Sequence, residues 1–167
     1  MTCALLHRVG INATFSGQII RVFPQKTIGS KTITVESDWS SASYHFSMVA
    51  LATSANVSIH SYVPNSLQGD SVLIDIYAQL GVTAAFDGHR LQLTKSNKLK
   101  SHITLDLIKA PDIAQTIAVT CYGLGVSCDL TGLHTLKIKE TDRLVSMATS
   151  ETMASVRASR WRLFSVM

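Results

Sequence analysis

The chain has 167 residues, 46% of them hydrophobic and 16% charged, with a formal net charge of +4. That length suits one domain or part of a larger one, and the apolar share excludes a disordered chain. No apolar run reaches the roughly 20 residues of a bilayer-spanning helix, so no membrane partner is expected. Met1 to Arg8 lacks a basic region before its short apolar stretch. It reads as half of an amphipathic helix over 2–9 rather than as an export leader. Residues 11–15 and 18–23 suit a hairpin turned at Ser16-Gly17. Residues 31–36 alternate and β-branch as a strand does. Asp38 or Ser40 then caps a helix over about 40–53. A strand over 56–61 follows, then a helix through Ile74, Ile76, Tyr77 and Leu80 that stops at Gly81. Asp87-Gly88 turns a hairpin of strands 82–86 and 90–94.

The order over 31–95 is therefore β-α-β-α-β-β, and it begins again. Ile103-Thr104-Leu105-Asp106 repeats the sense of Ile33-Thr34-Val35-Glu36. Pro111 opens a helix through Cys121, residues 126–131 suit a strand, and a charged run at Lys139 opens another helix. Met1 to Ile11 matches Leu73 to Val82 in the same way. The offset is about 70 residues, long for a solenoid and right for a repeated α/β unit. The fold class is thus α/β, built of repeated units. Residues 1–23 end one unit, 31–95 complete another, and 102–153 begin a third that lacks its closing hairpin. Residues 154–167 carry Trp161, Leu163, Phe164 and Val166 among Arg157, Arg160 and Arg162, and read as an atypical tail. The N-terminal hairpin is expected to complete the last sheet. Residues 18–23 would then lie beside 102–106 or 126–131, within the chain or by exchange between two chains.

Chemistry concentrates in four segments. Lys139-Glu140-Thr141-Asp142-Arg143 holds two cations and two carboxylates. On a helix Lys139 and Arg143 share a face with Glu140 beside them, which can grip a small dianion and offer a proton-transferring carboxyl. The plain alternative is a solvated first turn with intrahelical ion pairs. Glu36 to Tyr44 is a hydroxyl-rich strand-to-helix turn, whose backbone N–H groups and helix dipole favour an anion. Ser41 and Tyr44 can face one phosphate there, or serve as a serine cap and a core tyrosine. Asp112 follows Lys109-Ala110-Pro111 at a second such turn, where a carboxylate suits a general base or is simply an acidic helix start. In the fourth segment, Asn65 to Asp70, Gln68 and Asp70 read as structural. Cys3, Cys121 and Cys128 are an odd set without metal-ligand spacing, and the six histidines are scattered. That pattern points to reduced thiols in a cytoplasmic protein and to no metal.

Ser40-Ser41-Ala42-Ser43-Tyr44, Asn65 to Asp70, Pro111-Asp112 and Lys139 to Arg143, in this order and on this repeat, resemble the 5-enolpyruvylshikimate-3-phosphate synthase family. The likeness runs over nearly the whole chain up to about residue 150. It implies the enolpyruvyl transferase fold and transfer of a carboxyvinyl group from phosphoenolpyruvate to the 5-hydroxyl of shikimate 3-phosphate. That reaction belongs to aromatic amino acid biosynthesis and uses neither a metal nor an organic cofactor. The resemblance implies Asp112 as the base near the attacking hydroxyl and Glu140 as proton donor at the methylene carbon. It further implies Lys139 as a cation between both substrates and Arg143 as a clamp on phosphoenolpyruvate. Ser41 and Tyr44 match contacts to shikimate 3-phosphate, and Thr135 falls where family members often place an Asn near that substrate. Glyphosate, the family's inhibitor, would meet Lys139 and Arg143.

The family enzyme is much longer than this chain. Its early Lys-Ser-x-x-x-Arg segment and its Asn-Gly-Gly phosphate loop have no counterpart here. Little turnover is therefore expected from the chain alone, without self-association or a complementing fragment. A second reading is a non-catalytic α/β module for phosphorylated ligands or RNA, and a third is an inert folded remnant. The basic tail and net charge weigh little toward nucleic acid.

Overall fold

The computed structural model describes residues 1–138, 141–143, 145 and 161–163, the last three by backbone alone, and divides the chain into Met1–Glu36 and Ser37–Met167. In the first unit, helix α1 (Thr2–Arg8) leads into an antiparallel hairpin of β1 (Ala13–Ser16) and β2 (Ile19–Val22). Ser16 pairs with Ile19, so the turn is Gly17-Gln18, and Gly17 takes the left-handed φ of 59° that a two-residue hairpin demands. His7 Nε2 lies 2.6 Å from the Ala13 carbonyl and ties α1 to β1. Ala13 is the buried residue of this unit, while Phe15, Ile19, Ile20 and Val22 are exposed. Two strands and a short helix cannot enclose a core.

The second unit begins where the chain first meets a neighbour. The strand expected over 31–36 is not formed, and residues 31–35 are exposed. A strand needs a ladder of partners, and the chain is tied to a neighbouring segment at Ser37. There the Ser37 amide donates to the Ser61 carbonyl at 2.7 Å and the Ser37 hydroxyl to the His60 carbonyl at 3.1 Å. Helix α2 (Trp39–Leu51) follows, then β3 (Asn56–His60). A 3₁₀ turn (Gly69–Val72) runs into α3 (Leu73–Ala78), and β4 (Leu80–Asp87) and β5 (Arg90–Leu99) form a hairpin. Its turn is Gly88-His89, one residue later than the sequence suggests, because Asp87 pairs with Arg90. Leu80 does not continue α3 as expected. It starts β4, and Gly81 at φ 83° sits where the register shifts between Leu80 and Val82. The sheet order is β3-β5-β4, antiparallel throughout.

The remaining elements are β6 (His102–Asp106), a 3₁₀ turn (Pro111–Ile113), α4 (Ala114–Leu124), β7 (Ser127–Thr131), a 3₁₀ turn (His134–Ile138) and β8 (Trp161–Leu163). Here β6, β7 and β8 form a parallel sheet in that order. Within the chain, the N-terminal hairpin does not complete it as expected. The free side of β7 is taken by residues 161–163, while β1 and β2 form their own two-stranded sheet. The Trp161–Leu163 backbone supplies the parallel ladder that β7 needs, which satisfies its edge groups within the unit.

Neither α2 nor α4 contains Asp, Glu, Lys or Arg, which marks both as interior helices. They pack side by side with small residues between them. Ser43 Oγ lies 3.1 Å from Thr116 Oγ1, Thr120 donates to Ser47 at 2.8 Å, and Tyr77 Oη meets Thr120 at 2.9 Å. Gly123 lies against Leu51, where a Cβ would sit 2.5 Å from Cδ2. Around them Trp39, Phe46, Leu73, Tyr77, Leu93, Ile117 and Leu130 are fully buried, each contributing about 1.5–3 kcal/mol. Trp39 stands edge-on to Tyr62 and Phe86, at centroid distances of 5.0 and 6.5 Å, and anchors the start of α2. Among the described residues no helix is long and apolar enough to cross a membrane.

Candidate active site

The start of α2 is held by its own chain. Asp38 is the N-cap: its carboxylate accepts from the Ser40 amide at 3.2 Å, the Ser41 amide at 3.0 Å and the Ser41 hydroxyl at 2.6 Å. The turn's N–H groups, expected to be open to an anion, are therefore engaged. A carboxylate tethered one residue before the helix is a better acceptor than water and needs no ligand. The bond from the Ser41 hydroxyl is the chief reason that the Asp38 carboxyl is held below its usual range. A second clip comes from the loop before α3. Gln68 accepts from the Trp39 amide at 2.9 Å and donates to the Ser37 carbonyl at 3.0 Å. Asp70 accepts from the Ser40 hydroxyl at 2.5 Å. Burial raises the Asp70 carboxyl, with Asp112 and Asp38 adding like-charge repulsion. The structural reading of Gln68 and Asp70 fits these contacts, and their work is to hold the serine turn. Tyr44, one turn into α2, is 64% exposed and is no core residue.

The second turn is built differently. Pro111 sets its opening, and Ala110 as N-cap offers no side-chain bond. Gly69 lies against the Lys109 carbonyl with no room for a Cβ, which brings the clip loop beside this turn. The Asp112 side chain is 42% exposed and lies 3.5 Å from Arg143 Nη1, whose own side chain is 22% exposed. Arg143 and Val145 have helical backbone, whereas Thr141 and Asp142 do not. The Asp142 carboxylate accepts from the Val145 amide at 3.2 Å. Thr141 and Asp142 thus do not lead into Arg143 as helix, because Asp142 acts as a helix start rather than as an interior residue. Lys139 and Glu140, expected to carry cation and proton-donor roles, lie outside the described residues. Thr135 sits in the 3₁₀ turn of 134–138, which packs beside the Pro111–Ile113 turn but is not on the cleft wall, and its buried hydroxyl oxygen has no partner among the described residues.

Ser41 and Tyr44 of the first turn, Asp112 of the second, and Arg143 line one cleft of about 500 Å³ together with Asp38, Ser40, Gln115 and Thr116. Four of the seven residues expected from the sequence therefore face one space. A larger cleft of about 860 Å³ lies between residues 64–75 and 106–110, but Ser41, Tyr44, Asp112 and Arg143 are not on its wall. The smaller cleft brings together a guanidinium that can fork onto an oxyanion, hydroxyls that can orient one, and a carboxylate that can take a proton. Asp38, Gln115 and Thr116 were not named for this cleft from the sequence. Gln115 and Thr116 carry no motif, and only the packing of α4 beside α2 turns them toward it.

The sequence pattern of EPSP synthase (3-phosphoshikimate 1-carboxyvinyltransferase) matches residues 1–152. The chain belongs to the EPSP synthase family. Among its relatives, the 3-phosphoshikimate 1-carboxyvinyltransferase of Bacteroides fragilis (strain YCH46) is 39% identical over 150 residues, covering 89% of this chain and 36% of that protein. The enzyme of the same name from Histophilus somni (strain 2336) is 33% identical over 151 residues, with 89% and 34% covered. That of Syntrophobacter fumaroxidans is 31% identical, with 89% and 35% covered. This EPSP synthase family chain thus spans about a third of the length of the curated relatives it matches.

Proposed function

We propose that this chain carries part of an active site for carboxyvinyl transfer from phosphoenolpyruvate to the 5-hydroxyl of shikimate 3-phosphate. The observation that carries the reading is the convergence of Ser41, Tyr44, Asp112 and Arg143 on one cleft. In this reading Asp112 accepts the proton of the attacking 5-hydroxyl as its oxygen bonds to the enol carbon. Glu140 supplies a proton to the methylene carbon, giving a tetrahedral ketal, and loss of that methyl proton with expulsion of phosphate restores the vinyl group. Lys139 neutralises charge between the substrates, and Arg143 grips phosphoenolpyruvate through two parallel hydrogen bonds. Ser41 and Tyr44 contact shikimate 3-phosphate, with Thr135 nearby. Glyphosate competes at the Arg143 side. The three cysteines are free thiols, which fits the reducing cytoplasm where such a pathway would run.

The chain is read as one complete repeat over 31–95 flanked by parts of two others, 1–23 and 102–153, with 154–167 as a separate tail. Two hydrogen bonds support this. Ser37 N–H to Ser61 O, at 2.7 Å, and Leu107 N–H to Thr131 O, at 3.0 Å, each join the segment before a helix to the end of the strand after it. Donor and acceptor are both displaced by about 70 residues, a period that suits a repeated supersecondary unit. The family match also ends at residue 152, beside the tail boundary.

Efficient turnover needs the groups that the relatives' remaining length supplies, as a self-associated or complemented assembly. The test is growth of an aromatic-amino-acid auxotroph lacking the synthase, expressing this chain alone or with a complementary family fragment. Rescue that Asp112→Ala and Lys139→Ala both abolish is expected with the fragment present. Equal rescue by the two variants and the parent chain would refute the assignment.

A further inference from the structure

The serine turn presents a contradiction that the proposed function leaves standing. An oxyanion entering the cleft would use the Ser40 and Ser41 amides and the Ser41 hydroxyl, and Asp38 already holds all three. The Ser40 hydroxyl is held by Asp70. Among the described residues, the charged groups facing this space are Asp38, Asp112 and Arg143, with Asp70 behind Ser40. A bare phosphate arriving at the turn would therefore meet like charges and engaged donors.

We propose that Asp38 is a specificity-determining residue: a tethered carboxylate that competes with anions for the serine turn and so rejects those offering nothing but a phosphate group. The proposal deepens the reading above and rests on the same cleft. A ligand that spans from the serine turn to the Arg143 side gains contacts that offset the displaced bonds, whereas inorganic phosphate held at the turn alone, the anion that the transfer reaction releases, gains none. Asp38 would thus keep the product anion from occupying the substrate's place.

Asp38→Asn removes the charge and keeps a capping oxygen, since Asn and Asp cap about equally well. Asp38→Ser is the second variant, with a hydroxyl cap in place of the amide. The amide signals of Ser40 and Ser41 are followed in the parent chain and both variants during titration with inorganic phosphate and, separately, shikimate 3-phosphate. Thermal midpoints establish that the fold is kept. Inorganic phosphate is expected to bind both variants about tenfold more tightly than the parent, with the gain shrinking as salt screens the carboxylate. The gain for shikimate 3-phosphate is expected to be smaller. Phosphate affinity that is unchanged or weaker in folded variants would overturn the proposal while a shikimate 3-phosphate response in the parent keeps the functional reading. Tighter phosphate binding with no response of any chain to shikimate 3-phosphate would sink the functional reading and leave Asp38 as an anion competitor.

Discussion

Two helix-opening turns meet at the cleft, and they place their carboxylates in opposite ways. Asp38 stands one residue before α2 and folds its side chain back onto the Ser40 and Ser41 amides. Asp112 stands inside the turn after Pro111, with Ala110 as a bondless N-cap, and reaches Arg143 instead. The difference lies in two steps along the chain. A carboxylate at the N-cap is consumed by its own helix, whereas one a residue or two later points outward and remains available for a partner. Hydroxyl-rich composition at the first turn thus signals a cap as much as a binding site.

Substitutions at both turns sharpen this contrast. The largest effect is expected from Trp39→Ala, which empties the fully buried anchor behind the first turn and should cost about 3–5 kcal/mol in chemical denaturation. Ile113→Ala, the buried anchor behind the second turn, should cost about 2–5 kcal/mol. A near-silent Trp39 variant would mean that the first turn is held by its hydrogen bonds alone. Next comes Gln68→Ala, which strips the Trp39 amide and Ser37 carbonyl of their partners and should cost about 1–3 kcal/mol. Arg143→Ala should weaken phosphoenolpyruvate binding at least about tenfold, roughly 1.4 kcal/mol, with little change in thermal midpoint. A loss of stability equal to the loss of binding would make Arg143 merely a partner of Asp112.

The smallest effect concerns acid. The Asp38 carboxyl is depressed in the folded chain, so its contribution is present above its unfolded pKa and is lost as pH falls through the folded one. The stability gap between the parent chain and Asp38→Asn should therefore narrow below about pH 4. Asp70 works in the opposite sense, because burial raises its carboxyl and acid relieves the cost of its charge. Thermal melts of Asp70→Asn against pH should show the parent gaining on the variant as pH falls. The same trend in both variants would show that the two carboxylates are not differently held.

Much of this molecule was legible in order and kind. The strand over 56–61, a helix cap at Asp38 or Ser40, the Asp-Gly hairpin region and the Pro111 helix start are local signals, each settled within a few residues. The family motifs likewise named Ser41, Tyr44, Asp112 and Arg143 before any of them had a place in space. The failures share one cause. Residues 31–36 have strand-like alternation but form no strand, Leu80 obeys β5 rather than the helix before it, and residues 161–163 fill an edge expected for the hairpin.

From its residues alone this chain was determined to be an α/β protein with a carboxylate, a guanidinium and hydroxyls suited to an anionic substrate. Tertiary structure alone decided which carboxylate would face Arg143. Local propensity acts over a few residues, whereas the Gln68–Trp39, Asp70–Ser40 and Arg143–Asp112 contacts join groups about 30 residues apart in sequence, and only folding brings such groups within hydrogen-bonding reach.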